Sequence, residues 1–146
     1  MTPIILFRRL RRFPTLLGAF LLAACSNATD GGSQSPIAGT YQTDVTLASS
    51  SCTGITVQDN PTRVSHTTGS TTFTLTHAGN TYSATLGANN TFTTTPKPIV
   101  AGTATHTLSI AGQFTTDAFT ATVSVSVTGT GNGAPCQYVV HWVGSR

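Results

Sequence analysis

Charge is the property that this sequence has least of. It contains no glutamate, and its four acidic residues are all aspartates. Four of its seven basic residues lie within the first 12 positions, so only Arg63, Lys97 and Arg146 remain for the rest of the chain. A nucleic-acid partner needs a basic face that offsets the phosphates. The sequence therefore excludes nucleic acid as a partner.

Residues that favour helices are also scarce beyond the first 25 positions. Glutamate is absent, one lysine remains, and Thr, Ser, Gly and Val dominate instead. The branched Cβ atoms of Thr and Val suit a pleated strand. The composition predicts an all-β fold, and the length is that of one domain.

No apolar run is long enough to cross a bilayer as a helix, which takes about 20 residues. The run from Leu16 to Ala24 follows a segment with four arginines and ends in small residues. A basic start, a short apolar stretch and a small-residue end are the parts of a signal peptide. Residues 1–24 are therefore predicted to be a signal peptide. Within them, Arg11-Arg12-Phe13 resembles the twin-arginine export signal.

The segment Leu22-Ala23-Ala24-Cys25 resembles the lipobox of bacterial lipoproteins. The resemblance implies cleavage before Cys25 and a lipid on its thiol, which would anchor the protein to a membrane. The alternative, an ordinary cleaved signal peptide, would leave Cys25 as an unpaired exported thiol. Residues 25–36 continue as a polar spacer, and Ser26 favours the outer membrane over the inner one. We expect a lipid-anchored protein of the cell envelope with one domain, residues 37–146.

Apolar and polar residues alternate with period two through most of this domain, which predicts about eight short strands. The clearest strand runs from Phe119 to Val127, and Ala78-Gly79-Asn80 predicts the turn of a hairpin. Another short strand is expected at Ile55 and Val57. Three interruptions are expected as well: a loop over residues 59–70, a break at Pro96–Pro98 and a strand end at Gly112.

Two further cysteines, Cys52 and Cys136, form a pair that predicts a disulfide in an oxidising compartment. Two metal ligands are the alternative, but the close spacing of zinc motifs is missing. Cys52 follows the first predicted strand and Cys136 begins the last, so a bridge is natural if those strands are neighbours. This favours a small antiparallel up-and-down barrel. The alternative is an immunoglobulin-like β-sandwich, which would place a tryptophan between the cysteines, whereas Trp142 follows both.

The segment Gly39-Thr40-Tyr41 at the start of the first strand resembles the Gly-X-Trp opening of lipocalin-like small barrels. The resemblance implies an up-and-down barrel with an apolar cavity. It also implies that an arginine packs against the aromatic residue, which here would be Arg146 against Tyr41. Tyrosine stands in place of the usual tryptophan. This departure and the short strands argue against a large cavity.

Catalytic motifs are missing from the sequence. There is no Gly-X-Ser-X-Gly elbow and no phosphate-binding glycine loop, and the aspartates are not paired along the chain. We therefore expect neither enzymatic activity nor a cofactor. His77 and His106 fall on the apolar faces of their strands. We expect them to be partly buried histidines with hydrogen-bond partners. The alternative is a pair of metal ligands, but their spacing is not that of a zinc motif. We expect no metal site.

Four aromatic residues are candidates for a ligand pocket, although packing in the core explains them equally well. They are Tyr41, Tyr82, Tyr138 and Trp142. Two functions follow from these observations. We favour a non-catalytic structural or interaction role with an envelope protein as partner, in which case the barrel has a filled core. The alternative is lipocalin-like binding of a small apolar ligand, which requires a cavity.

Overall fold

The alternation of apolar and polar residues forms strands over nearly the whole of residues 37–146, which are the residues that the computed structural model describes. The predicted signal peptide, the predicted lipidation site Cys25 and the spacer lie outside them. The strands are β1 (Gly39–Ser50), β2 (Thr62–His66), β3 (Thr72–His77), β4 (Asn80–Leu86), β5 (Thr91–Thr94), β6 (Lys97–Ala101), β7 (Ala104–Phe114), β8 (Ala118–Gly129) and β9 (Cys136–Ser145). A short 3-10 helix, Ala88–Asn90, precedes β5. No helix in this part of the chain has the length and apolar character needed to cross a membrane.

Eight of the strands close into an antiparallel barrel, which confirms the predicted fold class. The strands follow the order β5-β4-β3-β2-β1-β9-β8-β7, and β7 pairs back onto β5. The first and last strands are neighbours, as the cysteine positions predicted. The remaining strand, β6, lies outside the ring and pairs with β7.

Strands β5 and β6 lie one after the other along the same edge of β7. Strand β5 pairs with Ala111–Gln113 and β6 with Ala104–Leu108. The break expected at the prolines is present, because β5 ends at Thr94 and β6 begins at Lys97. Pro98 lies within β6, where a missing N–H is tolerated because the strand has an open edge.

Three details of the predicted strands are wrong. Residues 62–66 were expected in a loop but form β2, because Thr62 and Val64 both face the interior and are 0% and 3% exposed. Ile55 and Val57 form no strand and lie in the connection between β1 and β2. Strand β7 does not end at Gly112 but continues to Phe114. Gly112 pairs with Phe92 across the sheet, and a Cβ atom there would overlap the Phe92 ring.

The end of the barrel at which the described chain begins is filled with aromatic rings. Phe114 lies at its centre, with ring centroids 4.9 Å from Phe92, 5.6 Å from Phe73 and 5.8 Å from Phe119. The hydroxyl of Tyr41 donates a hydrogen bond of 2.9 Å to the carbonyl of Ile37. No space for a ligand remains among these rings, since their side chains are at most 4% exposed.

Arg146 closes this filled end from outside. Its guanidinium carbon lies 5.1 Å from the centroid of the Tyr41 ring, a distance at which a cation interacts with the ring face. It also donates hydrogen bonds to the carbonyls of Ala38 and Thr116 and lies 3.6 Å from the Asp117 carboxylate. The expected contact between Arg146 and Tyr41 is thus present, and the relation to lipocalins stays a prediction.

The predicted disulfide is confirmed. Cys52 and Cys136 are bonded, with Cα atoms 5.1 Å apart, and they lie 84 positions apart in the sequence. The bridge joins the connection after β1 to the first residue of β9. It therefore links the two strands whose pairing closes the barrel.

Replacing both bridged cysteines, as Cys52→Ala with Cys136→Ala, should lower the free energy of unfolding by about 4 kcal/mol. A bridge over so long a loop restricts the unfolded chain strongly. Guanidinium denaturation of the oxidised wild type, the reduced wild type and the double variant measures the effect. The reduced wild type should resemble the variant. A difference below about 1 kcal/mol between the oxidised protein and both others would contradict the expectation.

Candidate functional site

The half of the interior opposite the filled end is not fully packed. It contains a concavity of about 470 Å³, which we call the bowl. Its lining residues are Val45, Thr56, Val57, Gln58, Asn60, His77, Ala78, Leu108, Val123, Val125, Tyr138, Val140 and Trp142. Most of them are inward-facing apolar side chains of β1, β7, β8 and β9. Other concave regions, such as one of about 450 Å³ across β7, β8 and β9, are lined largely by residues of the outer face.

The floor of the bowl is closed and its rim is open. Val123 is 0% exposed and Trp142 is 4% exposed, so solvent does not pass between the strands beneath them. Leu108 and Tyr138 are half-buried and lie where the bowl meets solvent. The volume of the bowl therefore includes its mouth, and a ligand would keep part of its surface in contact with water.

One side of the mouth is covered by the connection between β1 and β2, residues 51–61. This segment is held near both of its ends. At the start, the disulfide fixes Cys52, and the Thr53 N–H donates to the Asn132 carbonyl at 3.0 Å. Near the other end, the Asp59 carboxylate accepts a 2.7 Å hydrogen bond from the Val45 N–H. The side chains that the connection adds to the lining are thereby held over the barrel.

His77 is the ionisable side chain in the lining that is most deeply buried, with 7% of its surface exposed. Its ring stacks on Trp142, with centroids 4.0 Å apart and planes inclined by 29°. Its Nδ1 atom lies 2.9 Å from the hydroxyl oxygen of Thr62, which in turn accepts a 2.8 Å hydrogen bond from the Thr43 hydroxyl. Burial lowers the pKa of His77 below its ordinary value of 6.5, since desolvation disfavours the charged ring. The imidazole is therefore neutral at pH 7.

The four aromatic residues named as pocket candidates separate into two groups. Tyr138 and Trp142 line the bowl. Tyr41 is 0% exposed at the filled end of the barrel. Tyr82 is 3% exposed, and the Lys97 ammonium lies 5.4 Å from the centroid of its ring.

The histidines do not come together. His77 Nδ1 forms a hydrogen bond with the Thr62 hydroxyl, whereas His106 lies beside Tyr138 with ring centroids 6.4 Å apart. Within residues 37–146, no three His, Cys, Asp or Glu side chains are grouped closely enough to hold a metal ion. Sequence reasoning missed Thr62 because it placed this residue in a loop. The signal that could have found it is the period-two alternation itself, since Thr62 lies two positions before Val64 and shares its face of the strand.

Comparison of the chain with protein-family models, with curated protein sequences and with solved structures gives no match. The class is therefore defined by the architecture alone. It is a closed eight-stranded up-and-down barrel, filled with aromatic rings at one end and open to solvent at the other.

Lowering the pH below 6.5 should destabilise the protein in a way that depends on His77. In the unfolded chain His77 regains its ordinary pKa of 6.5, while burial keeps the folded pKa lower. Between these two values only the unfolded state binds the proton, so the free energy of unfolding falls as the pH falls. The contribution of one group is at most about 1.4 kcal/mol per pH unit.

Urea denaturation between pH 7.5 and pH 5 measures this dependence. The variant His77→Phe should have the shallower slope, because its aromatic ring cannot take up a proton. Ser124→Phe, which adds the same ring on the outer face, is the matched control and should keep the wild-type slope. Equal slopes for wild type and His77→Phe would show that the titration of His77 is not linked to folding.

Proposed function

We propose that residues 37–146 bind a small, uncharged and mostly apolar molecule in the bowl, and that the domain works in the cell envelope on a lipid anchor. The observation that carries this proposal is the lining of the bowl. Apolar side chains from β7, β8 and β9 form its walls and floor, among them Leu108, Val123, Val125, Val140 and Trp142.

The size and charge of the bowl support this choice of ligand. Its volume of about 470 Å³ lies within the range of small-molecule pockets. No side chain in its lining carries a formal charge once His77 is neutral. A charged ligand would lose its hydration without gaining a counter-charge, which is unfavourable. An uncharged ligand would gain from the removal of its apolar surface from water.

The same lining supports binding without catalysis. The described residues place no carboxylate or thiol in it, and the one imidazole has a ring nitrogen bonded to Thr62. General acid–base catalysis calls for a titratable group poised near the working pH and within reach of the reacting atoms. We therefore propose that the protein is not an enzyme.

A neutral apolar dye, N-phenyl-1-naphthylamine, should bind in the bowl and become fluorescent. The only tryptophan of the chain, Trp142, lines the bowl, so its own emission should fall as the dye binds. Val125→Phe places a ring in the bowl and should weaken dye binding at least tenfold. Ser124→Phe places the same ring on the outer face and is the matched control.

These titrations use the full chain carrying Cys25→Ser, so that no lipid is attached to it. Circular dichroism of each variant shows that it is folded. If the dye leaves Trp142 emission unchanged, or if Val125→Phe and Ser124→Phe bind it equally well, the bowl is not the binding site.

The lipid anchor rests on the lipobox-like segment that ends at Cys25. We propose that the cysteine is lipidated and that the protein resides at the outer membrane. Cells that express the wild type should incorporate an alkyne-tagged palmitate into the protein, which should sediment with membranes. Cys25→Ser should abolish the label. Labelling that persists in Cys25→Ser would contradict this site.

A second candidate is an interaction role with another envelope protein, and strand β6 favours it. Among the described strands, β6 pairs with β7 and leaves its other edge open. Val100 on this strand is 74% exposed. Open strand edges are sites at which a strand of another chain can pair. The dye titration separates the two candidates, because only a binding function requires the bowl to accept the dye.

A further inference from the structure

The hydrogen bonds around His77 determine which of its ring nitrogens carries the proton. The Thr43 hydroxyl donates to the Thr62 oxygen at 2.8 Å, and this oxygen lies 2.9 Å from His77 Nδ1. Thr62 is 0% exposed, and these two contacts are the ones its hydroxyl makes among the described residues. Because the Thr62 oxygen already accepts from Thr43, its own hydrogen points to Nδ1. Nδ1 is then the acceptor.

The opposite direction of donation is less favourable. If His77 Nδ1 carried the hydrogen, Thr62 would donate to Thr43, and the Thr43 hydrogen would be left with the Tyr41 carbonyl. That oxygen lies 3.5 Å from the Thr43 hydroxyl oxygen, well beyond the usual 2.5–3.0 Å between oxygens. These distances favour the neutral tautomer that carries its hydrogen on Nε2.

His77 Nε2–H is thus a hydrogen-bond donor on a residue that lines the bowl, and the lining also contains the polar side chains of Thr56, Gln58 and Asn60. Among the described residues no hydrogen bond to Nε2 is found, and Nε2 is not one of the buried polar atoms that lack a partner, so this nitrogen is accessible to solvent. Trp142 holds the ring in place from one face, and Thr62 holds it through Nδ1. The donor is consequently fixed before any ligand binds, so little entropy is lost when it meets an acceptor.

We propose that the bowl recognises an uncharged apolar molecule that carries one acceptor oxygen, as in a ketone, aldehyde or ester, and that His77 Nε2–H donates to this oxygen. The proposal rests on the proposed binding function and deepens it. A pure hydrocarbon would cover the Nε2–H group and leave it without a partner, which is unfavourable. A carboxylate would satisfy the donor but would enter a lining without a cationic side chain.

Three probes of nearly the same shape test the proposal by displacement of N-phenyl-1-naphthylamine. In 2-acetylnaphthalene the planar side group contains C=O, and in 2-isopropenylnaphthalene the oxygen is replaced by CH₂. The third, 2-naphthoate, carries the negative charge. The full chain with Cys25→Ser should bind the ketone roughly tenfold more tightly than the hydrocarbon, which is the effect of one donor left unpaired. The naphthoate should bind more weakly than the ketone.

Two variants separate hydrogen bonding from packing. His77→Phe keeps a ring next to Trp142 but has no donor, so it should bind the ketone and the hydrocarbon with equal affinity. Thr62→Val leaves His77 in place and removes the hydroxyl that fixes its tautomer. It should lower the preference for the ketone and shift the ¹⁵N resonances of the His77 ring. It also keeps the proposal testable if His77→Phe does not fold.

The outcomes distinguish this inference from the function on which it rests. The role of His77 would be overturned if the wild type bound the ketone and the hydrocarbon equally well. It would also be overturned if both variants kept the preference for the ketone. In either case the bowl would remain a binding site for apolar molecules. Tighter binding of naphthoate would overturn the uncharged ligand class. If the dye itself does not bind, the proposed function fails and this inference fails with it.

Discussion

The pairing of β1 with β9 is the contact on which the rest of the structure depends. It joins Gln42–Ser50 to Tyr138–Ser145 and turns an open sheet into a closed barrel. Without it, two long strand edges would be exposed in a chain that has very few charged residues to discourage pairing with other chains. The Cys52–Cys136 bridge lies at one end of this same pair of strands. The covalent link therefore reinforces the contact that closure requires.

Closure creates an interior, and side-chain size decides how it is filled. An eight-stranded barrel is just wide enough for side chains to occupy its axis. At the filled end the inward positions carry aromatic rings, and Gly112 and Gly144 stand opposite Phe92 and Phe119, where a Cβ atom would overlap each ring. At the other end the inward positions of β8 carry Val123, Val125 and Val127, whose side chains are too short to reach across. The bowl is the space that these shorter side chains leave.

Local pattern predicted most of the strands but could not predict the bowl. The strict alternation from Phe119 to Val127 predicts a strand with one buried face. Its five inward side chains are indeed at most 6% exposed. Thr62 was not predicted to face the interior because threonine is a polar residue. It can do so here because its hydroxyl has hydrogen-bond partners, which lie on β1 and β3. Likewise, Trp142 and His77 are distant in sequence and meet only once the barrel is closed. Long-range contacts of this kind depend on how several strands pair with one another, and the sequence pattern of one strand does not predict that register.

In the proposed binding function, His77 is the residue by which the bowl would discriminate between ligands. A buried polar side chain is tolerated when its hydrogen bonds are satisfied, and Thr43, Thr62 and His77 Nδ1 satisfy one another. The remaining Nε2–H belongs to a residue that lines the bowl, which is open to solvent. Without a ligand that donor can form a hydrogen bond with water, whereas a hydrocarbon ligand would displace the water without providing an acceptor. Under the proposal, selectivity for an oxygen-bearing ligand would come chiefly from the penalty imposed on ligands that lack the acceptor. Apolar burial would then supply affinity for either kind of ligand, and the hydroxyl pair behind His77 would make the affinities differ.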